Sequence, residues 1–292
     1  MRFPIFNVLA VAAVFGASAL STAQAQTQLQ TQPRGAVPYR YAATTPRNCV
    51  DRAKFPAFLE RMRREAAAQG VGHRGLAALD GLTFDESVIS RDRGQKVFTQ
   101  SFEEFSGRMV PPRLARARQM MHKNAQLLGR IEREFGVPSG LLVAIWGLET
   151  DFGAFLGNFS TVRSIATLAY DCRRPEKFQP ELLAVMKIVD RGDLDPATAR
   201  GAWAGEIGQT QFMPSTFIKF AIDYDRNGRI DLVHSVPDVL GSTANFFKNN
   251  GWQAGQGWQP GQSNFQAILQ WNQAEVYART IAYFAERLET GR

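Results

Sequence analysis

The chain has 292 residues, a hydrophobic content of 45% and a formal net charge of +7 at pH 7. This is enough chain for one large domain, or two small ones, with a proper buried core. No dense cluster of Lys and Arg occurs, which argues against nucleic acid as a partner; the excess positive charge indicates either an anionic partner surface or charge scattered for solubility.

The first 25 residues have the pattern of an export signal. Arg2 provides the positive end, an apolar run extends from Val8 to Phe15, and Ala23 and Ala25 form a small-x-small cleavage site. We expect cleavage after Ala25, which lowers the net charge to +6 because Arg2 is lost. The apolar run is too short for a membrane span, and no later stretch is long and apolar enough. With no cysteine near the site for a lipid anchor, the sequence predicts a soluble periplasmic protein.

The chain contains two cysteines, Cys49 and Cys172. Export would place them in an oxidising compartment, where an even number of cysteines favours a disulfide between them. Two buried free thiols are the alternative, and the spacing is not that of a metal-binding pair.

Residues 26–46 are polar and rich in Gln, Thr and Pro, which predicts a disordered leader. Helical patterns predominate after it, so the predicted fold class is mainly α. We expect a helical N-terminal part over residues 47–136 and a second part over residues 137–292, packed as one globular unit.

Apolar residues that recur at three- and four-residue steps predict the helices. In chain order the predicted helices cover residues 55–66, 73–79, 96–105, 111–135, 139–152, 164–170, 180–189, 237–249 and 274–289. The strand signals are weak and short, and the best of them covers residues 229–233.

The helix between Pro138 and Gly153 is apolar nearly all round, which predicts that it is buried. Glu149 lies in its last turn, where burial and the negative end of the helix dipole both raise the pKa of a carboxyl group. A carboxyl that stays protonated near neutral pH is what a general acid needs. The alternative is a glutamate that reaches solvent at a helix end.

A glycine-rich stretch over residues 201–215 combines amides with apolar side chains. Gln209 and Gln211 offer hydrogen-bond donors and acceptors, while Trp203 and Phe212 offer flat apolar surface. Sugars bind to such a mixture, although a loop that packs on the core would have the same composition.

The stretch over residues 270–277 places an aromatic side chain beside an amide at the entrance to the last helix. Trp271 and Asn272 precede this helix, and Tyr277 lies on its first turns. Such a pair could hold the N-acetyl group of a sugar. A core tryptophan and a helix-capping asparagine are the alternative.

Residues 223–231 fit the first nine positions of an EF-hand calcium loop, with glycine at the sixth. The match departs from the EF-hand pattern at position 12, where His234 stands in place of a bidentate glutamate. The alternative is a solvated turn. A bound ion, calcium or sodium, would be structural. The candidate ligands are Asp223, Asp225, Asn227, the backbone carbonyl of Arg229, and Asp238.

From about Cys49 to the C terminus, the chain resembles the family 3 lytic transglycosylases. The resemblance rests on motifs in the family's order, at residues 137–140, 147–153, 166–170, 208–215, 242–245, 250–252 and 271–277, with the calcium-like loop among them. It implies a goose-type-lysozyme-like catalytic core over residues 137–292, a helical N-terminal part, and a small insertion with the EF-hand-like loop. The missing anchor cysteine implies a soluble form.

The resemblance also implies an activity: non-hydrolytic cleavage of the MurNAc-β-1,4-GlcNAc bond of peptidoglycan, which leaves 1,6-anhydro-MurNAc ends. It implies a monomer without a catalytic cofactor or a nucleic-acid partner. Glu149 would be the catalytic acid and base. Glu206 occupies a place often held by a small residue and receives no role. The implied saccharide-binding residues are Gln209, Gln211, Trp271, Asn272 and Tyr277.

Most glycosidases use two carboxylates. Asp151 follows Glu149 by two residues, about 200° around a helix, so both cannot easily face one cleft. A single carboxylate favours a reaction in which the substrate's own N-acetyl group assists. A hydrolytic muramidase with the same glutamate, and a non-catalytic peptidoglycan-binding protein, are the competing hypotheses.

Overall fold

The computed structural model describes residues 50–94 and 100–291. The predicted signal, its cleavage site, the leader, Cys49 and residues 96–99 of one predicted helix lie outside these ranges. Within them the chain is mainly α, as predicted, with one short pair of strands.

The helices are α1 (Phe55–Ala68), α2 (His73–Ala77), α3 (Glu86–Arg93), α4 (Phe102–Met109), α5 (Pro111–Lys123), α6 (Ala125–Phe135), α7 (Ser139–Thr150), α8 (Thr161–Tyr170), α9 (Pro175–Arg191), α10 (Pro214–Phe220), α11 (Val236–Asn249), α12 (Phe265–Trp271) and α13 (Glu275–Glu289), and a 3-10 turn, Arg52–Lys54, precedes α1. Strand β1 (Phe159–Ser160) pairs antiparallel with β2 (Arg200–Gly201). Among the described residues, no helix combines the length and the apolar character needed to cross a membrane.

Helix α7 lies at the centre of the core, and all but two of its twelve residues are buried. It packs against α13, α5, α6 and α11, so its surroundings are helical on most sides. This arrangement explains its sequence: a helix enclosed by other helices needs apolar side chains all round. The prediction of a buried helix is confirmed.

A second group of helices is built around α9, which contacts α8, α10, α2 and α1. An aromatic cluster joins α1 to the end of α8: the ring of Tyr170 lies 5.4 Å from that of Phe55 and 5.0 Å from that of Phe58. The N-terminal helices α1 and α2 therefore pack directly on helices of the second part of the chain.

Several predicted helix boundaries are wrong. The predicted helix over residues 96–105 is α4, which begins at Phe102 and ends at Met109. The predicted helix over residues 111–135 is two helices, because Asn124 leaves helical geometry and its side-chain amide donates to the carbonyl of Met120 at 2.9 Å. Pro180 does not begin a helix: α9 begins at Pro175 and continues through Pro180. Helices α3, α10 and α12 carry too little periodic pattern to have been predicted individually.

The predicted strand over residues 229–233 is also wrong, because this segment forms a turn. The carboxylate of Asp231 accepts the backbone N–H groups of Val233 and His234, each at 2.9 Å. An aspartate that bonds the backbone just after it favours a turn over an extended strand.

No described cysteine is a free thiol. Cys172, which follows α8, is in a disulfide. Because Cys49 lies outside the described residues, the Cys49–Cys172 pairing stays a prediction.

Candidate active site

Glu149 occupies the last turn of α7, and the chain turns away sharply after this helix. Asp151, Phe152 and Gly153 have φ values of 52°, 61° and 80°, so three successive residues are left-handed. Gly153 is required here, because a Cβ atom would lie 2.5 Å from the side-chain oxygen of Gln209. The sharp exit leaves Glu149 as the last acidic side chain of the buried helix.

The Glu149 carboxyl is held by two neutral donors. The indole Nε1 of Trp271 donates to its Oε1 at 3.0 Å, and the Tyr277 hydroxyl also bonds to it. Burial raises the pKa of Glu149 to about 7; the two hydrogen bonds act in the opposite direction, and the charge of Glu206 adds to the increase. The carboxyl can therefore hold a proton near neutral pH.

Asp151 is not a second acid for this site. Its carboxylate pairs with Arg113, with Nε 3.0 Å from Oδ1, and the same Nε donates to the Gly147 carbonyl at 3.1 Å. The guanidinium closest to the end of α7 is thus used by Asp151 and by the helix backbone. No ion pair holds Glu149 among the described residues.

Glu149 opens into a cleft of about 440 Å³. Its lining includes four of the predicted site residues, Glu149, Gln211, Trp271 and Asn272. The remaining lining residues are Lys177, Ala202, Glu206, Phe212, Met213, Thr216, Phe246 and Gln270. Tyr277 lies behind the cleft: it is buried and reaches the site only through its contact with Glu149.

Trp271 is fixed by other aromatic rings. It stacks on Phe247, with centroids 5.7 Å apart, and makes edge contacts with Phe212 and Phe246 at 5.4 and 5.0 Å. Rigid packing of this kind holds the indole N–H in place for Glu149. The neighbouring Asn272 ends α12, and its side-chain oxygen accepts the N–H of Ala274 at 3.0 Å.

Gln211 lies in a tight hairpin closed by the bridge between Ile207 and Phe212. Its φ is 56°, and its side-chain nitrogen donates to the Gly208 carbonyl at 2.7 Å. No described residue donates to its amide oxygen. This oxygen is available to a ligand in the cleft.

Gln209 is not among the residues that line the cleft, and its polar groups have partners within the protein; its assignment to saccharide binding stays a prediction. Its side chain accepts the indole N–H of Trp146 at 2.7 Å and donates to the Val233 carbonyl at 2.8 Å. Its backbone carbonyl accepts the hydroxyl of Thr150 at 2.6 Å, and its N–H donates to Leu232 at 2.8 Å. Gln209 therefore joins the end of α7 to the acidic loop, residues 223–234.

The acidic loop and the first turn of α11 bring three carboxylates together: oxygens of Asp223 and Asp225 in the loop and of Asp238 in α11 lie within 4.8 Å of one another. No ion pair involves them among the described residues. Carboxylate oxygens that are not engaged in ion pairs suit calcium. His234 is not one of the group, since its Nδ1 bonds to Asp231 at 3.0 Å. Asn227 accepts the N–H of Arg229 at 3.0 Å, which is the turn geometry expected of the loop.

A larger cavity of about 800 Å³ lies beside the acidic loop, with Arg130 and Arg133 in its lining. Its one glutamate, Glu134, accepts the hydroxyl of Tyr224 at 3.0 Å and is exposed to solvent. We therefore place the active site in the smaller cleft at Glu149, where the proton-holding carboxyl lies.

Sequence reasoning missed Lys177 and Thr216, which line the cleft from α9 and α10. Neither carries a local signal, because only the packing of α9 and α10 brings them beside α7. The position of Glu206 was noticed without a role, and the structure shows it in the cleft.

Comparison with known proteins agrees with this geometry. The family described as "Transglycosylase SLT domain" matches residues 54–261. Over 129 residues the chain is 37% identical to membrane-bound lytic murein transglycosylase B of Escherichia coli K12, a match that covers 44% of this chain and 36% of that relative. The aligned stretch thus spans about a third of that relative's length.

Two solved structures show the same fold. SltB3 from Pseudomonas aeruginosa, in complex with NAG-anhNAM-pentapeptide, has a TM-score of 0.76 and 30% identity, covering 82% of this chain and 80% of that one. The Escherichia coli lytic transglycosylase Slt35, in complex with calcium, has a TM-score of 0.69 and 22% identity, covering 83% and 94%. The family predicted from the motifs is confirmed: this chain belongs to the transglycosylase SLT domain family.

Proposed function

We propose that this protein is a peptidoglycan lytic transglycosylase, a carbon–oxygen lyase that acts on a polysaccharide. It cleaves the MurNAc-β-1,4-GlcNAc bond and leaves 1,6-anhydro-MurNAc ends. One observation carries the proposal: a carboxyl with a pKa of about 7 lies in a cleft, held by two neutral donors. The family membership and the muropeptide complex of SltB3 support the choice of substrate.

The reaction follows from a single acid. Protonated Glu149 gives its proton to the bridging oxygen, and the N-acetyl carbonyl of MurNAc stabilises the positive charge at C1. Ionised Glu149 then accepts the proton of the C6 hydroxyl as that oxygen attacks C1. The bridging oxygen leaves as a hydroxyl, no water is consumed, and Glu149 is protonated again.

The remaining cleft residues bind and orient the glycan. The free amide oxygen of Gln211 accepts from a sugar hydroxyl or amide, and Asn272 and Trp271 line the same cleft. Tyr277 and Trp271 position the Glu149 carboxyl. No catalytic cofactor is needed for these steps.

The acidic loop fits a structural calcium ion, held by Asp223, Asp225, Asp238, the side chain of Asn227 and the carbonyl of Arg229. The calcium complex of Slt35 supports this choice of ion, and sodium is the alternative. The ion would stiffen the loop that Gln209 connects to the end of α7. It would not take part in the proton transfers.

Several properties complete the proposal. The protein is exported, cleaved after Ala25 and works as a soluble monomer in the periplasm on glycan strands. Residues 47–136 form the N-terminal part of a single transglycosylase domain, and residues 137–292 form its lysozyme-like part. A Cys49–Cys172 disulfide ties these parts together.

Digestion of purified sacculi with the wild type and with Glu149→Gln tests the proposal. We expect the wild type to release 1,6-anhydro muropeptides, identified by mass spectrometry as lighter than hydrolysed ends by one water. Glu149→Gln should lower the rate by at least about 100-fold, because it cannot donate a proton. Equal clearing of sacculi by both proteins would refute the assignment of Glu149. Wild-type products with only hydrolysed ends would indicate a muramidase, and binding without cleavage would indicate a non-catalytic protein.

A further inference from the structure

A second carboxyl group lines the cleft, and the mechanism above does not use it. Glu206 directly precedes the hairpin that contains Gln211. Because Ile207 and Phe212 form an antiparallel bridge, Glu206 and Met213 lie opposite each other, and both line the cleft with Glu149. The backbone register therefore fixes Glu206 at the wall of the active site.

Glu206 is held by the backbone and forms no direct ion pair among the described residues, although Lys177 lines the same cleft. Its Oε2 accepts the N–H of Ala204 at 3.2 Å, and its carboxylate also accepts the backbone N–H of Glu206 itself. Gly201 permits this conformation, since a Cβ atom there would lie 2.0 Å from the Glu206 carbonyl. Burying a carboxylate without a salt bridge lowers the stability of the folded protein. Such a residue at the wall of a cleft is therefore a candidate for a functional role.

The surroundings divide the roles of the two carboxyls. Burial raises the pKa of both. The charge of Glu206 raises the pKa of Glu149 further, whereas backbone amides and the charge of Lys177 hold down the pKa of Glu206. When two carboxyls share a site and their surroundings push their pKa values apart, one serves as acid and the other as base. The positive charge of Lys177, which lines the same cleft, favours the ionised form of Glu206, and the shift at Glu149 has no such cationic cause.

We propose that Glu206 is a general base toward water, which gives this enzyme a hydrolytic activity beside transglycosylation. The proposal rests on the proposed function in one respect, the role of Glu149 as the acid. Thr216 and Lys177 line the same cleft and offer further polar partners to a water molecule there. A small residue at position 206 would offer that water no base.

The hydrolytic step uses both carboxyl groups. Glu149 gives its proton to the bridging oxygen, and the bond from C1 to that oxygen breaks. Water bonds to C1 through its oxygen while Glu206 takes one of its protons. The products are a MurNAc reducing end and a GlcNAc with a free hydroxyl, with one water consumed. Glu206 is left protonated and Glu149 ionised, and exchange of one proton with solvent restores both.

The ratio of hydrolysed to anhydro ends measures this activity directly. Sacculi are digested with the wild type, Glu206→Gln, Glu206→Ala and Glu206→Asp, and the new ends are counted by mass spectrometry. We expect the wild type to give both kinds of end. General base catalysis contributes about 100-fold or more, so the hydrolysed share should fall by at least about 10-fold in Glu206→Gln and Glu206→Ala. Glu206→Asp should retain part of it. The exposed Glu103→Gln, with melting curves of every variant, is the control for charge and folding.

The outcomes separate this inference from the proposed function. If the wild type gives only anhydro ends while Glu149→Gln is inactive, the proposed function stands and the role of Glu206 is refuted. An unchanged ratio in folded Glu206 variants refutes it as well. If Glu149→Gln remains active, the proposed function fails first. If the wild type gives only hydrolysed ends that Glu206→Gln loses, transglycosylation is refuted and the role of Glu206 is upheld.

Discussion

The cleft and the acidic loop treat carboxyl groups in opposite ways. In the cleft, Glu149 receives only two neutral hydrogen bonds, and burial raises its pKa to about 7. In the loop, burial also acts on Asp223, but the backbone N–H groups of Gly228 and Asn227 outweigh it and lower the pKa. Asp238 lies between these cases: burial raises its pKa although three backbone amides oppose the increase.

The balance between burial and backbone hydrogen bonds decides the difference, since Asp238 has three backbone donors and still has a raised pKa. Side-chain donors from α12 and α13 leave Glu149 able to keep a proton, whereas a turn that presents its own amides keeps Asp223 ionised. Proton transfer needs the first environment, and cation binding needs the second. On the proposed function, the same chemical group would serve two purposes because the local backbone geometry differs.

The largest expected effect on the free energy of unfolding comes from removing the charge of Glu149, which abolishes the difference between the cleft and the acidic loop. Folding holds the pKa of Glu149 at about 7 against 4.5 for a free glutamate, so the folded state binds more protons between these values. This stabilisation is present below about pH 4.5 and is lost as pH rises through 7, a change of about 3 kcal/mol. Glu149→Gln stays neutral, so it should be more stable than the wild type by up to about 3 kcal/mol at about pH 8.

Urea unfolding of both proteins at about pH 4 and pH 8 measures this difference. At the lower pH the two should have similar free energies of unfolding. Glu103→Gln, which changes an exposed glutamate, should follow the wild type at both. If Glu149→Gln is less stable than the wild type at the higher pH, then burial of the ionised Glu149 does not destabilise the folded protein.

The next effect is the stabilisation of the fold by a cation bound at the acidic loop. Calcium at about 100 times its dissociation constant should stabilise the fold by about 2.7 kcal/mol. For a chain of this size that raises the melting temperature by about 5 °C or more. Calorimetric scans with calcium, with magnesium and with sodium at matched ionic strength identify the ion. Asp223→Asn should abolish the increase, and an identical increase in that variant would contradict a site in the loop.

Sequence patterns were sufficient for the burial of α7 and for the position of Glu149 in its last turn, because a helix that is apolar on every side is buried wherever it lies. They could not separate Gln209 from Gln211. Both are glutamines in one glycine-rich turn, and the difference is that Gln211 takes a left-handed φ while Gln209 bonds to Leu232 and Trp146 across the fold. Those partners become neighbours only after folding.

The turn at Asp231 likewise depends on hydrogen bonds that the local sequence pattern does not show. Alternating apolar residues predicted a strand there, but two backbone amides bond to the Asp231 carboxylate instead. The position of Lys177 in the cleft depends on how α9 packs, and no local pattern records it. Local periodicity therefore predicts the elements, whereas their polar connections require the tertiary structure.

A smaller effect tests the connection between the two regions. Gln209→Leu keeps the bulk but leaves the Trp146 N–H and the Val233 carbonyl without a partner, which should cost about 2 kcal/mol. Because these groups hold the end of α7, both the melting temperature and the rate of sacculus digestion should fall. Gln211→Leu in the same hairpin should lower the rate with a smaller change in melting temperature. A Gln209→Leu variant with full activity would show that the loop does not support the acid.

The smallest expected effect is the change in the pKa of Glu149 when one of its two hydrogen-bond donors is removed. The Tyr277 hydroxyl lowers the pKa of Glu149, so Tyr277→Phe should raise that pKa. Activity that needs protonated Glu149 is lost as pH rises through its pKa, so the alkaline limb of kcat/KM should move upward by about one pH unit. Tyr283→Phe, on the same helix, loses a hydroxyl that accepts from Arg287 at 2.7 Å and should leave the limb in place. If the alkaline limb moves downward in Tyr277→Phe, the hydroxyl stabilises the protonated form of Glu149. Tyr277 would then raise the pKa of Glu149, as burial does.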